Sequence, residues 1–133
     1  MILEATTQDF EAIIEGLYRL YLKSIWAKVP RVTFSREDLF KWLVMNMTNY
    51  DRILYVKVDK DNKVVAALGV FLLQMYLPPH LSYIDEWVMF GDNKRSLGEL
   101  WEQCKIWGEE RGALVAVRGA QTDSGELRHW EAL

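Results

Sequence analysis

Residues 52–76 carry the pattern that most limits how this chain can fold. The stretch "RILYVKV" alternates apolar and polar residues with a period of two, which is typical of a β-strand with one face in a core. The segment "DKDN", whose Asp and Asn residues favour a tight turn, follows it and precedes the apolar run "KVVAALGVFLLQMY". The sequence therefore predicts an antiparallel hairpin, and Gly69 in its second strand predicts a bend or a bulge.

Two helices are predicted before this hairpin, after a short strand at residues 1–5. Thr6 and Asp9 form a capping pattern, and apolar residues at helical spacing then continue to about residue 23. Ser35 and Asp38 belong to a second capping pattern, which opens a helix that continues to about residue 48. The intervening segment is predicted to be irregular, because Pro30 disfavours a helix there.

A strand–helix–strand unit is predicted after the hairpin. The strand "LSYIDEWVMF" precedes the loop "GDNKR", and Ser96 with Glu99 forms a third capping pattern that opens a helix ending near Gly112. The final strand is "ALVAV". Such a unit crosses over right-handed, so its two strands should be parallel neighbours, with the loop at the carboxyl end of the first. Residues 119–133 are predicted to be a polar tail that holds at most one short helix.

Composition limits the class of protein further. The 133 residues suffice for one domain with a core, and the net charge of −3 argues against a general nucleic-acid binder. A single cysteine, Cys104, excludes an internal disulfide and is expected to be a small core residue. The apolar runs are too short to span a membrane, and no signal-peptide pattern opens the chain, so we expect a cytoplasmic protein. His80 and His129 have no spacing that supports a metal site.

The predicted class is mixed α/β, with the order β-α-α-β-β-β-α-β and a short tail. This order resembles the GCN5-related N-acetyltransferase (GNAT) fold. The segment "YIDEWVMFGDNKRSLGELWEQCKIWGEERGALVAV" is similar to the core of that family: an acidic strand, a phosphate-binding loop, a long helix and a hydrophobic strand. The resemblance covers residues 1–118. Most family members continue with a further helix and a hairpin of two strands, so it implies that the C-terminal strands are truncated here.

The resemblance implies a cofactor, acetyl-coenzyme A (acetyl-CoA). The family's loop pattern Q/R-x-x-G-x-G/A holds the pyrophosphate on backbone amides at a helix N-terminus, where the helix dipole favours an anion. Here Arg95 and Gly98 match the pattern, whereas Leu100 replaces its last small residue and Glu99 adds a negative charge. The exposed backbone of the fourth strand would pair with the pantetheine arm. The residues implied to hold the cofactor are Trp87, Val88, Met89, Lys94, Arg95, Ser96, Leu97 and Gly98.

The resemblance also implies a general base on the strand before the loop, where Asp85 and Glu86 are the candidates. Successive residues of a strand face opposite ways, so Glu86 should share a face with Ile84 and Val88. A carboxylate on that apolar face would be desolvated with a raised pKa, which favours Glu86 as the base. The alternative interpretation is that both are ordinary charges at the surface of the sheet.

A general acid for the thiolate is harder to assign. The family typically uses a tyrosine after the fifth strand, but no tyrosine follows Tyr83, and His129 is the titratable candidate in the tail. The family's Asn in the fifth-strand region is also missing, unless Gln121 replaces it. An ordinary surface histidine is the alternative interpretation of His129.

Two functions are therefore predicted. The first is an N-acetyltransferase that uses acetyl-CoA on an unknown amine. The second is a catalytically inactive binding or assembly module with the same fold; compact members of this kind occur among bacteriophage proteins, some of them associated with virions. Six tryptophans favour the second, because aromatic residues are enriched at interfaces. That function would imply protein partners, oligomers or a location in the virion.

Overall fold

The computed structural model describes residues 1–75, 81–91, 93–122 and 125–133, without the side chains of residues 120–122 and 125–127. In this part of the chain, six strands form one sheet in the order β1-β2-β3-β4-β5-β6, and three α-helices cover it, which confirms the predicted mixed α/β class. The strands are β1 (Ile2–Glu4), β2 (Arg52–Val58), β3 (Val64–Gln74), β4 (Ser82–Gly91), β5 (Val115–Thr122) and β6 (Gly125–Ala132). The helices are α1 (Phe10–Lys23), α2 (Arg36–Met47) and α3 (Lys94–Glu110).

The sheet has one parallel pair of strands. Strands β4 and β5, which α3 connects, pair in parallel with Tyr83 opposite Val115, as the strand–helix–strand unit predicts. The other neighbouring strands pair antiparallel, including the predicted hairpin of β2 and β3. The carboxyl end of β4 and the start of α3 therefore lie at the same edge of the sheet.

Helices pack on both faces of the sheet and bury two apolar clusters. On one face, α1 and α2 pack over β2, β3 and the second half of β4, with Phe10, Leu43 and Phe90 in the cluster. On the other face, α3 packs over the first half of β4, with Ile84 and Cys104 in the cluster. Cys104 is fully buried, as the sequence predicts, and burial raises the pKa of its thiol well above the usual range.

The first two helices begin where their capping residues predict. The Asp9 carboxylate accepts a hydrogen bond from the Thr6 amide at 2.8 Å, and a short 3₁₀ turn then leads into α1. The Ser35 hydroxyl accepts a hydrogen bond from the Asp38 amide at 3.2 Å at the start of α2. Both side chains bind backbone amides that have no partner within the helix.

The prediction of a polar tail at residues 119–133 is wrong. Strand β5 continues to Thr122, and β6 pairs with it antiparallel from Gly125 to Ala132. Side chains of β6 make contacts on both faces of the sheet. On one face the Trp130 ring lies 5.8 Å from that of Tyr83. On the other face Glu131 accepts a hydrogen bond from Lys105 of α3 at 2.8 Å. In the described residues a strand therefore follows β5, and β6 is the sixth strand of the sheet.

Gly69 marks a bulge, as predicted. The register between β3 and β4 shifts after Gly69, so that Gly69 lies opposite Val88, and Val70 opposite Glu86. Trp87 is the extra residue of β4 and has no partner in β3. A Cβ atom added at Gly69 would lie 2.6 Å from Cε2 of the Trp87 indole. The indole therefore occupies the space that a side chain at position 69 would need.

Pro78, Pro79 and His80, which the sequence places in a chain break between β3 and β4, lie outside the described residues. Among the residues that are described, no helix is long and apolar enough to cross a membrane.

The Gly69→Ala variant tests the packing at the bulge. We expect it to lower the free energy of unfolding by about 1–3 kcal/mol, because the new methyl group overlaps the Trp87 ring. Urea unfolding measures this, with Gly98→Ala as the control, since an added Cβ there meets no atom within 4 Å. Equal stability of Gly69→Ala and the unmodified protein would contradict this account of the bulge.

Candidate active site

Strands β4 and β5 separate partway along their length. Their parallel pairing covers three residue pairs and ends at Asp85 with Val117. Beyond that point β4 continues to Gly91 as a partner of β3, and β5 continues to Thr122 as a partner of β6. We call the resulting gap, between residues 86–91 of β4 and residues 118–122 of β5, the β4–β5 split. It exposes the edge of β4, whose backbone groups can pair with an extended ligand.

Glu86 lies at the narrow end of the β4–β5 split. Its Oε1 atom accepts a hydrogen bond from the backbone amide of Gly119 at 2.9 Å. This amide belongs to the first part of β5 that no longer pairs with β4, so the carboxylate binds a group that the backbone of β4 leaves unpaired. The side chain is partly buried. A carboxylate that could accept a proton is thus held at the point where the two strands separate.

The bulge changes which neighbours Glu86 has. Glu86 lies opposite Val70 and shares with Ile84 the face that α3 covers, as predicted. Val88 was predicted on that face too, but it packs instead in the cluster under α1 and α2. The extra residue Trp87 shifts the alternation by one position, and every later residue of β4 changes face.

Asp85 faces the opposite side of the sheet from Glu86, as the alternation predicts. Its Oδ2 atom forms an ion pair with the guanidinium of Arg128, which comes from β6. The other oxygen, Oδ1, is buried and has no hydrogen-bond partner among the described residues. Asp85 therefore ties β4 to β6 across β5, and a cation already neutralises its charge.

His129 does not contact either carboxylate. It lies opposite Arg118 on β5, is exposed, and shares a face with Glu131, which contacts α3. No hydrogen bond or ion pair joins His129 to Asp85 or Glu86 in the described part of the chain. Gln121, the other residue considered in this region, has a side chain outside the described part.

Helix α3 begins earlier than the sequence predicts. The N-cap is Asn93, whose side-chain oxygen accepts a hydrogen bond from the Ser96 amide at 2.8 Å, so the prediction that Ser96 is the cap is wrong. Asn is among the best N-cap residues, and its position three residues before Ser96 was the signal for it. Lys94 and Arg95, predicted to belong to the loop, instead form the first turn of the helix with Ser96, which is buried.

The first turn of α3 presents free donors and positive charge. The amides of Lys94 and Arg95 have no partner among the described residues, whereas the amide of Leu97 makes the first helical bond, to Asn93 O at 3.3 Å. Each of these two cations interacts unfavourably with the positive end of the helix dipole, by roughly 0.3–1 kcal/mol. No acidic residue in this turn offsets this interaction. This end of α3 is thus suited to an anionic ligand.

Glu99, which the sequence placed near this site as an unfavourable charge, is neutralised. Its carboxylate accepts a hydrogen bond from Lys57 of β2 at 2.6 Å and one from Arg95 at 3.2 Å. Both hydrogen bonds hold the pKa of Glu99 below its usual value, and the one from Lys57 lowers it more. Arg95 remains largely exposed, and such a surface pair is weak, so an anion could compete for its guanidinium.

Gly98 leaves open space beside the helix. An added Cβ would meet no atom within 4 Å, so packing within the chain does not require a glycine there. Leu97, by contrast, packs toward the sheet, where its Cγ lies 2.8 Å from the position of a Cβ added at Gly91. Of these two residues, Gly98 is the one that could allow a ligand to approach the helix backbone.

A tryptophan pair lies between α2 and the sheet. The rings of Trp42 and Trp87 meet edge to face at 5.3 Å, and the Trp87 indole donates a hydrogen bond to Ile53 O at 3.3 Å. Trp42 also lines a cavity of ≈ 400 Å³, together with Asp38 and Phe34. The cavity has room for a small molecule, and it combines aromatic rings with one carboxylate.

No protein-family model and no curated protein matches this sequence. Solved structures match the fold. A predicted acetyltransferase with acetyl-CoA from Clostridium acetobutylicum superposes with a TM-score of 0.71 at 10% identity, covering 94% of this chain and 82% of that one. An aminoglycoside 6′-N-acetyltransferase from Acinetobacter haemolyticus has a TM-score of 0.72 at 11% identity, covering 92% and 81%.

A transcriptional regulator from Bacillus halodurans also superposes, with a TM-score of 0.70 at 14% identity, covering 93% of this chain and 83% of that one. At such low identities the likeness concerns the fold. The fold predicted from the order of the elements is confirmed: this chain has the architecture found in structures of GNAT acetyltransferases.

The Glu99 ion pairs predict a dependence of stability on pH. A carboxylate whose pKa is lowered by folding stabilises the folded state above its unfolded pKa, and this stabilisation is lost as the pH falls through the lowered value. We expect Glu99→Gln to lower the melting temperature at pH 7, and we expect this deficit to shrink as the pH falls below 4.5, the usual pKa of the carboxyl group. Glu110→Gln is the control, since its carboxylate lies 3.8 Å from Arg111. A deficit of the same size at every pH would contradict the role of the charge.

Proposed function

We propose that this chain is a small N-acetyltransferase that moves an acetyl group from acetyl-CoA to a primary amine. The observation that carries the proposal is the β4–β5 split, which opens at Glu86 and runs toward the positive N-terminus of α3. The fold shared with a predicted acetyltransferase crystallised with acetyl-CoA supports it. The acceptor is not identified by any of these features.

The N-terminus of α3 would hold the pyrophosphate of the cofactor. The unpartnered amides of Lys94 and Arg95 are donors, the side chains of both residues add charge, and Gly98 leaves the helix surface accessible. Ser96 and Leu97, which the resemblance implied as cofactor-binding residues, would have a supporting role instead. They are buried or packed inward and keep the turn in place, without offering side chains to the ligand.

The pantetheine arm would extend from α3 into the β4–β5 split. Backbone groups of Trp87, Val88 and Met89 lie along that edge of β4, which β5 leaves unpaired. The amide groups of the extended arm would form hydrogen bonds with these backbone groups, as the backbone of an added strand does. The thioester at the end of the arm would then lie near Glu86.

Glu86 would act as the general base. The amine nitrogen attacks the thioester carbonyl, a C–N bond forms and the C–S bond breaks, while the nitrogen loses a proton to the carboxylate directly or through water. The Gly119 amide holds the carboxylate in place. The leaving thiolate takes up a proton, for which His129 remains a prediction that no contact in the structure supports. The paired carboxylate of Asp85 is a positioning group instead.

The acceptor would enter from the α2 side, through the cavity beside Trp42. That ring touches Trp87, the bulge residue that follows Glu86 in β4, so this pair of rings links the cavity to the strand that carries the base. Asp38 at the cavity would attract a cationic amine, and the aromatic rings would pack on its carbon skeleton.

A binding module is the second candidate, and exposed aromatic residues favour it. Trp26 and Trp130 are each more than half exposed, at 57% and 55%, whereas burial of these tryptophans would have argued against a partner surface. Ile25, next to Trp26, is exposed too. The bacteriophage source, the virion and the cytoplasmic location raised by the sequence stay predictions, as does an oligomer.

The Glu86→Gln variant tests the base. Glutamine keeps an oxygen for the Gly119 amide but cannot take up the proton, so we expect kcat to fall by about 10²–10⁴-fold while acetyl-CoA affinity is retained. The measurement is release of free thiol from acetyl-CoA with a panel of small amines. Asp85→Asn, which alters the neighbouring carboxylate, is the matched variant. Full turnover by Glu86→Gln would exclude it as the base.

The Gly98→Ala variant tests the cofactor site, because two effects of opposite sign are expected. Alanine should stabilise the helix by about 0.5–1 kcal/mol, since no atom obstructs the new methyl group. It should also weaken acetyl-CoA binding, because the methyl group occupies space that the ligand needs. Thermal unfolding and calorimetry measure the two effects. If stability rises and affinity is unchanged, the cofactor does not lie against Gly98.

A further inference from the structure

A second positively charged site lies on the other side of Gly91 from α3. Here α1 and the end of β4 enclose a cavity of ≈ 220 Å³. Its lining residues are Gly16, Arg19, Leu20, Lys23, Phe90 and Gly91. The cavity is at the carboxyl end of β4, the edge of the sheet where α3 begins.

Close packing between α1 and β4 creates this cavity. Gly16 lies directly on the Phe90 ring, since an added Cβ would be 2.5 Å from Phe90 Cε2. Leu20 and Lys23 follow Gly16 by one and two helical turns on the same side of α1, and Arg19 lies beside them. The helix thus meets the strand at Gly16, and the residues after this contact border the cavity.

The two cations of the cavity form no ion pair in the described part of the chain, although Arg19 also borders a neighbouring cavity that Asp9 and Glu15 line. Neither Arg19 nor Lys23 forms a hydrogen bond or an ion pair with a described residue. The nearest acid on α1, Glu15, is already held by Arg36, with an Nη2–Oε2 distance of 2.7 Å. Arg and Lys side chains beside a surface cavity favour an anion, and a phosphate group can accept several of their hydrogen bonds at once.

The cavity and the first turn of α3 both adjoin Gly91. That residue lines the cavity, and a Cβ added to it would meet the Leu97 side chain at 2.8 Å. Two cationic sites therefore flank Gly91: the amides and side chains of Lys94 and Arg95, and the pair on α1. Two cationic sites on either side of one residue suit a ligand that carries two separate phosphate groups. Coenzyme A is such a ligand, because it has a pyrophosphate and a 3′-phosphate on the ribose.

We propose that Arg19 and Lys23 bind the ribose 3′-phosphate of the coenzyme, while α3 binds its pyrophosphate. The chain would thereby distinguish acetyl-CoA from its 3′-dephospho form. This inference rests on the proposed function, since it assigns a second contact to the same cofactor. It adds two residues of α1 that the sequence pattern of the loop does not include.

The test is calorimetric titration of acetyl-CoA and 3′-dephospho-acetyl-CoA into the purified protein and into Arg19→Gln/Lys23→Gln. Lys28→Gln/Arg31→Gln is the control, because it removes the same charge from exposed positions outside the cavity. We expect the unmodified protein and the control to prefer acetyl-CoA by about tenfold or more. The cavity variant should bind both forms alike and should bind the dephospho form as the unmodified protein does.

The outcomes separate the two proposals. If the unmodified protein binds neither form, the proposed function fails and this inference fails with it. Suppose instead that both forms bind equally well, or that the cavity variant keeps its preference. The proposed function then stands, and the role of Arg19 and Lys23 is excluded. Both side chains are exposed, so we expect the variant to fold. The single variants Arg19→Gln and Lys23→Gln give the same comparison if the double variant does not.

Discussion

The bulge at Trp87 is the constraint on which the rest of the site depends. One extra residue in β4 reverses the alternation of its side chains. Ile84 and Glu86 therefore face α3, while Val88 and Phe90 face α1 and α2. A regular strand could not serve both helical layers in this way, because a single alternation would direct one of these apolar sets into the wrong layer. Gly69 makes the arrangement possible by leaving room for the Trp87 indole.

The bulge and the β4–β5 split together explain why the candidate active site is where it is. Strand β4 remains bound to β3 over its whole length, so that its other edge can separate from β5 without unfolding. The Glu86 carboxylate binds the Gly119 amide, in the part of β5 that no longer pairs with β4, and Asp85 joins Arg128 on the opposite face. These contacts close the narrow end of the split, and the charge of α3 lies toward its open end.

Much of the fold could be predicted from the sequence because its signals are local. The alternation in "RILYVKV", the capping residues Ser35 and Asp9, and Gly69 each specify a structure within a few residues. The strand β6 was missed because its stability comes from distant contacts, those of Trp130 with Tyr83 and of Glu131 with α3. Of the candidate site only an outline was predicted: the resemblance implied two positions, Glu86 and the start of α3. The contacts of Gly119, Arg128 and Arg19 depend on residues far apart in the chain, and no sequence spacing indicates them.

The most direct test of the central claim is to map acetyl-CoA onto the backbone by nuclear magnetic resonance, which a 15.6 kDa chain allows. The amide resonances of the ¹⁵N-labelled protein would be recorded during titration with acetyl-CoA. The account predicts the largest shifts at Lys94 and Arg95, and further shifts along β4 from Trp87 to Met89 and at Gly119. Saturable shifts confined to another surface, or none at millimolar acetyl-CoA, would contradict a cofactor site at the split and would direct attention to the exposed tryptophans.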